Sequence, residues 1–279
     1  MNEAKRIQVG DLEVEYSEAG SGARPFVLVH GFTGSRDDFA EVLPKLSEHG
    51  YTLAPDNRGH GGTTNPGVPE GYSLEQMQAD LGGFLDVLGH EQVDLLGHSL
   101  GGMISLRFVL AHPERVASLV LMDTMPGPME NMPRQFFEAG AKVAREHGMA
   151  TLFAGMRARP PAMNPEAVKR TMERMGEERY WARIEAKILA MDPEAFAELS
   201  TVLMDQAPVT DRLEEIACPT LVLVGEHDVP FVEPAKLMAE RIPNARLKVI
   251  ESAAHSAQFE NEAAWLDAIQ THLHSARGD

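Results

Sequence analysis

The stretch LLGHSLGGM, residues 95–103, decides the fold: Ser99 stands between Gly97 and Gly101, with one residue separating it from each. It closes the apolar run QVDLLGH and opens LGGMISLRFVLAHP, whose apolar spacing is helical, so Ser99 falls on a sharp strand-to-helix turn. A serine at such a turn takes a strained backbone conformation, and larger side chains two residues to either side would collide with the turn. The turn lifts the hydroxyl above the carboxyl end of the strand, where α/β sheets bind ligands. It also leaves the Leu100 N–H at a helix start, pointing outward.

On both sides of this turn, short runs rich in Val, Ile and Leu alternate with longer segments of helical period. PFVLVHG, YTLAPD, QVDLLGH, VASLVLMD, PTLVLVG and ARLKVIE are expected strands, and RIQVGDLEVEYSEAG is an expected antiparallel hairpin turning at Gly10-Asp11. RDDFAEVLPKLSEHG, YSLEQMQADLGGFLDVLG and LGGMISLRFVLAHP are expected helices, with N-caps near Asp37 and Ser73 and stops at Gly50 and Gly89. The fold class is therefore α/β, with a mostly parallel sheet. The strand signal lapses from Met125 to about Ala207, where RQFFEAGAKVAREHG, EAVKRTMERMG, YWARIEAKILA and EAFAELSTVLMD carry helical spacing. The expected organisation is a core of residues 1–124 and 211–279 with a helical insertion at 125–210. Ten of the fifteen methionines lie in that insertion. Position by position they fill a core, but their clustering suits a wall that adapts to an apolar ligand.

Composition narrows the partners. The 279 residues carry a formal net charge of -17, so the mean field repels phosphate backbones and anionic lipid, and neither nucleic acid nor stable membrane association is expected. No segment reads as a signal peptide or a membrane span, which makes the cytoplasm the default location. The single cysteine, Cys218, cannot form an internal disulfide. No histidine pair has ligand spacing with acidic support, so no metal is expected.

A serine between glycines is a weak signal until partners are found. Asp228 follows the strand PTLVLV in GEHDVPF, and His255 follows ARLKVIE in SAAHSAQFEN. Ser99, Asp228 and His255 thus fall at one edge of a parallel sheet, in the chain order Ser, Asp, His. If Asp228 only caps the helix after it, Glu226 and Asp123 are the substitute acids. His98 and His227 directly precede Ser99 and Asp228, so each is expected to point away from its neighbour. His30, Asp56, Arg58 and His60 are read as loop scaffolding.

The sequence resembles the α/β-hydrolase fold enzymes with a lid inserted after strand six, over almost the whole chain. The resemblance rests on His30-Gly31-Phe32, DNRGHGGT from Asp56, GHSLGG from Gly97, GEHD from Gly225 and AHS from Ala254. It implies that Phe32 and Leu100 donate the oxyanion-hole N–H groups and that no cofactor is used. It also argues against the dehalogenase and epoxide hydrolase branches, which carry aspartate where Ser99 stands. Two departures are Ala254, where glycine commonly precedes the histidine, and Thr63, where the loop motif commonly ends in serine. The expected activity is hydrolysis of small-molecule carboxylic esters with small to medium apolar acyl groups, fading below about pH 6 as His255 is protonated. Lactone opening, carbon–carbon bond hydrolysis and a cofactor-free lyase step would use the same triad, and a non-catalytic small-molecule receptor is the remaining alternative.

Overall fold

A computed structural model describes residues 4–130, 133–158 and 165–278. Among them, eight strands form one sheet in the order β1-β2-β4-β3-β5-β6-β7-β8. The strands are β1 (Lys5–Val9), β2 (Leu12–Ala19), β3 (Phe26–Val29), β4 (Thr52–Pro55), β5 (Val93–His98), β6 (Val116–Met122), β7 (Thr220–Gly225) and β8 (Ala245–Ile250). β1 and β2 are the expected hairpin, and β2 pairs antiparallel with β4; every later pairing is parallel.

The helices of the core are α1 (Leu43–Ser47), α2 (Leu74–Val87), α3 (Leu100–Ala111), α8 (Val229–Arg241), α9 (Ala257–Glu260) and α10 (Glu262–Arg277). Between β6 and β7 lie α4 (Arg134–Arg157), α5 (Pro165–Met175), α6 (Glu177–Leu189) and α7 (Pro193–Asp205), a helical insertion as the sequence pattern requires. Strand alternation sorts the core into two layers. Val27, Val29 and Leu95 pack with α2, α3 and α8, whereas Phe26, Leu28 and Leu96 pack with α1 and α10 around the buried Trp265.

One helix departs from expectation. RDDFAEVLPKLSEHG divides into a 3-10 turn at Arg36–Phe39 and the short α1. Pro44, lacking an N–H, suits the first turn of a helix, and the chain restarts there. The cap near Asp37 is Ser35: the Asp37 N–H donates to Ser35 Oγ at 3.3 Å and the Ser35 N–H to Asp38 Oδ2 at 3.1 Å. Ser73 caps α2 as expected, accepting the Gln76 N–H.

Parallel register aligns the functional edge. Gly97 pairs with Val29 on one side and Leu121 on the other, Met122 pairs with Leu223, and Gly225 pairs with Ile250. Residues just beyond these positions therefore meet at the carboxyl ends of five adjacent strands. The insertion is tied to loops at that edge. Lys187 pairs with buried Asp38, Tyr72 donates to Asp192, and Arg170 donates to the Ser252 carbonyl at 2.9 Å. Arg183 lies over the Phe259 ring at 3.9 Å, an arrangement favoured by the ring quadrupole.

Candidate active site

Ser99 has φ 53° and ψ −116°, a conformation that L-residues rarely adopt. A Cβ at Gly97 would strike the Gly101 carbonyl and the Ser105 hydroxyl, and one at Gly101 would strike the Val29 and His30 carbonyls. That is the physical reason for the two glycines. The strained turn is braced on both sides: the Ser99 N–H donates to the Met122 carbonyl at 2.9 Å, and Thr124 Oγ1 donates to the Ser99 carbonyl at 2.6 Å.

Asp228 stands at the N-cap position of α8, yet its side chain makes no capping bond. Its Oδ2 instead accepts from His255 Nδ1 at 2.7 Å. This fixes the proton on Nδ1 and leaves Nε2 as the basic nitrogen. The carboxylate side chain is 1% exposed and the imidazole 33%, so the acid is enclosed while the ring keeps an open face. Burial works against a charged imidazole, but the Asp228 carboxylate and then Glu260 outweigh it, and the His255 pKa is raised above its ordinary 6.5. Among the described residues Ser99 Oγ has no hydrogen bond to His255; such bonds are often long in substrate-free sites.

His98, beside Ser99 in sequence, reaches the loop that carries His255. Its Nε2–H donates to the His255 carbonyl at 2.7 Å, and the two rings lie 4.9 Å apart. Phe231 packs on His255 as well, at 4.8 Å, so the imidazole is held between two rings. Burial, followed by the neighbouring His255, pushes the His98 pKa down to about 4, which keeps it neutral. His227 lies on the surface beside Glu226.

The loop after β3 packs directly on Ser99, since a Cβ at Gly31 would come 3.0 Å from the Ser99 Cβ. Phe32 follows, its ring 5.0 Å from Phe196 of α7. Among the described residues, neither the Phe32 nor the Leu100 N–H donates to a protein acceptor, and Leu100 is the first residue of α3. Two donors thus flank the serine turn unspent. His30 steadies this loop: the Asn57 N–H donates to its Nε2 at 2.9 Å and its Nδ1–H donates to the Gly31 carbonyl at 2.9 Å. Burial holds it neutral, with a pKa near 3.

The neighbouring DNRGHGGT loop is bonded to the elements around it. Asp56 accepts the N–H groups of Arg36 and Gly62, Arg58 pairs with Asp80, and His60 Nδ1–H donates to the Arg58 carbonyl at 2.9 Å. Thr63 Oγ1 donates to the Asp56 carbonyl at 2.8 Å and accepts the Glu15 N–H at 2.9 Å, so the hydroxyl a serine would supply is present. No group of three or more His, Cys, Asp or Glu residues among those described is placed to hold a metal ion. No described helix is long and apolar enough to cross a membrane.

The sheet order and the serine turn define an α/β hydrolase. The chain belongs to the alpha/beta hydrolase fold family, whose model matches residues 24–262. It is 29% identical to the 2-hydroxy-6-oxononadienedioate/2-hydroxy-6-oxononatrienedioate hydrolase of Paraburkholderia xenovorans (strain LB400), over 92% of this chain and 89% of that protein. Among solved structures, the enol-lactonase from Burkholderia xenovorans LB400 superposes with a TM-score of 0.82 at 25% identity, covering 96% of this chain and 99% of the lactonase. The thermophilic esterase from Thermogutta terrifontis also superposes with a TM-score of 0.82, at 27% identity, covering 98% and 99%.

Proposed function

We propose that the protein is a serine hydrolase that cleaves carboxylic esters of small to medium, largely apolar acyl groups. The observation that carries this reading is the 2.7 Å Asp228–His255 bond on neighbouring strand ends, beside a serine held at positive φ. Ser99 attacks the ester carbonyl while His255 Nε2 takes its proton, and Asp228 stabilises the imidazolium. The oxyanion forms against the Phe32 and Leu100 N–H groups, each such donor contributing on the order of 3 kcal/mol. His255 then returns its proton to the leaving alcohol, an acyl-enzyme remains, and a water activated by His255 releases the acid. No metal or cofactor enters these steps. The substrate is a free small molecule, and the location is the cytoplasm.

In this reading residues 125–210 form a lid over a core of residues 1–124 and 211–279. Met125, Met129, Met149 and Met191 are buried in one cluster with Phe137, Phe153 and Phe196, which supports an apolar lid interior. Met132 and Met163 lie outside the described residues. A lactone is the second reading, favoured by the likeness to the enol-lactonase. The attack is the same, and the leaving oxygen stays tethered to the acyl group.

A series of p-nitrophenyl esters tests the proposal. Each acyl methylene that enters the lid interior contributes up to about 0.8 kcal/mol, so kcat/KM rises roughly threefold to fourfold per carbon from acetate towards butyrate or hexanoate. It then falls, because a closed cavity has a back wall. A monotonic rise through the longest soluble chains contradicts the lid. Negligible turnover of every ester beside rapid cleavage of a lactone or a ring-cleavage diketone replaces the ester reading.

A further inference from the structure

Asp123, at the end of β6, has no task in the triad scheme, yet it is wholly buried beside it. Its backbone sits at φ 46°, and its N–H donates to the Leu223 carbonyl at 2.9 Å. One carboxyl oxygen, Oδ1, accepts the Gly225 N–H at 2.8 Å. The other, Oδ2, is enclosed and receives no hydrogen bond from any described residue. Asp228 is tied to the same glycine, its N–H donating to the Gly225 carbonyl at 3.0 Å, and its carboxyl, 2% exposed and committed to His255, neighbours that of Asp123.

A buried carboxylate oxygen with no donor is costly, and two carboxylates in contact cannot both be ionised in an enclosed site. One proton between them removes both penalties. Asp228 faces the imidazole that becomes cationic, whereas no described cation faces Asp123, so the proton belongs on Asp123. The structure assigns Asp123, on the triad reading above, as a neutral carboxylic acid whose O–H donates to Asp228: a positioning residue that keeps Asp228 ionised and aimed at His255. The pair carries one negative charge before and after His255 takes the serine proton, so no proton leaves the acids during turnover. The titratable groups around the pair are consistent with this state. Burial and the Asp228 charge push the Asp123 carboxyl well above its usual range, with Glu260 of α9 adding to the rise and the Gly225 N–H opposing it. His98 is neutral, and His255, bonded to Asp228, becomes a cation against the pair when it takes a proton.

The experiment compares the parent with Asp123→Asn and Asp123→Ala. Asparagine tolerates positive φ, offers an N–H to Asp228 and still accepts from Gly225, so it reproduces the protonated acid. Infrared difference spectra at pH 7 should show a protonated-carboxyl carbonyl band in the parent that Asp123→Asn lacks; any band from Asp56 cancels between the two. Asp123→Asn should keep kcat within about threefold with its acid limb unmoved. Asp123→Ala should lose roughly 10- to 100-fold in kcat, the worth of a hydrogen bond to a charged group, with KM little changed and the acid limb moved to higher pH. An ionised Asp123 predicts the reverse: no band lost, and both variants with acid limbs moved to lower pH. That result, or an Asp123→Ala enzyme as fast as the parent, overturns the assignment. If alanine prevents folding, the infrared band and the limb of Asp123→Asn decide alone. A failed triad shows itself differently, as activity surviving in Ser99→Ala.

Discussion

Both ends of the strands bury aspartates, and Asp94 at the amino end and Asp123 at the carboxyl end are treated in opposite ways. At the amino end Asp94, fully buried, accepts from Ser118 Oγ at 2.7 Å through one oxygen. Its other oxygen meets Arg24 at 3.2 Å and Arg277 at 2.8 and 2.9 Å. At the carboxyl end Asp123 has one donor, an orphan oxygen and a second carboxyl beside it. Backbone strain divides in the same way. Among the described residues, the non-glycine positions with positive φ are Thr33, Ser99, Asp123 and Ser252, all just beyond the carboxyl ends of strands. One edge of the sheet satisfies its buried charge and holds the fold together, while the other keeps donors, charge and strain in reserve.

Substitutions at each edge should break this contrast in different currencies. The largest effect is expected at the functional edge: Asp228→Asn cannot hold the Nδ1–H tautomer and should cost about ten thousand-fold in kcat with little change in Tm, measured by ester turnover beside thermal melts. At the other edge Asp94→Ala should do the converse. It strands two guanidinium groups, and because both reach solvent the loss should sit near the low end of a broken buried pair, about 3 kcal/mol by denaturant melts, with kcat of the folded enzyme unchanged. A large fall in kcat without loss of stability would erase the distinction between the edges.

The smallest effect is a displacement along the pH axis. As the proposed base, His255 must be neutral, and its carboxylate neighbours favour the protonated form. Activity is therefore lost as pH falls through a value above the ordinary 6.5, not below about pH 6 as an unperturbed imidazole requires. The acid limb of kcat/KM measures this directly. In Asp228→Asn, where the largest charge favouring the imidazolium is gone, the residual activity should show that limb at lower pH.

The strands were legible because parallel strands buried on both faces must be nearly continuous in Val, Ile and Leu, as PFVLVHG and PTLVLVG are. The helical insertion was legible from its 3.6-residue spacing, although α4 hides a break at Gly148, with φ 78°. The serine turn was legible because only glycine fits at positions 97 and 101. What the sequence withheld depends on register between strands distant in the chain. His98 was expected only to point away from Ser99, and its contact with His255 follows from the meeting of β5 with the loop after β8. Asp123 was visible only as a substitute acid, because its contact with Asp228 follows from the pairing of β6 with β7. The Lys187–Asp38 tie between insertion and core spans 149 positions of sequence, and no local pattern announces it.

The central claim is that Ser99 carries the acyl group. Treating the parent and Ser99→Ala with a fluorophosphonate probe, then locating the adduct by peptide mass spectrometry, tests it most directly. One adduct on Ser99 is expected in the parent, none in a normally folded Ser99→Ala protein, and nearly all ester turnover should be lost with that substitution. Equal labelling of both proteins at another residue, or turnover that survives in Ser99→Ala, would contradict it.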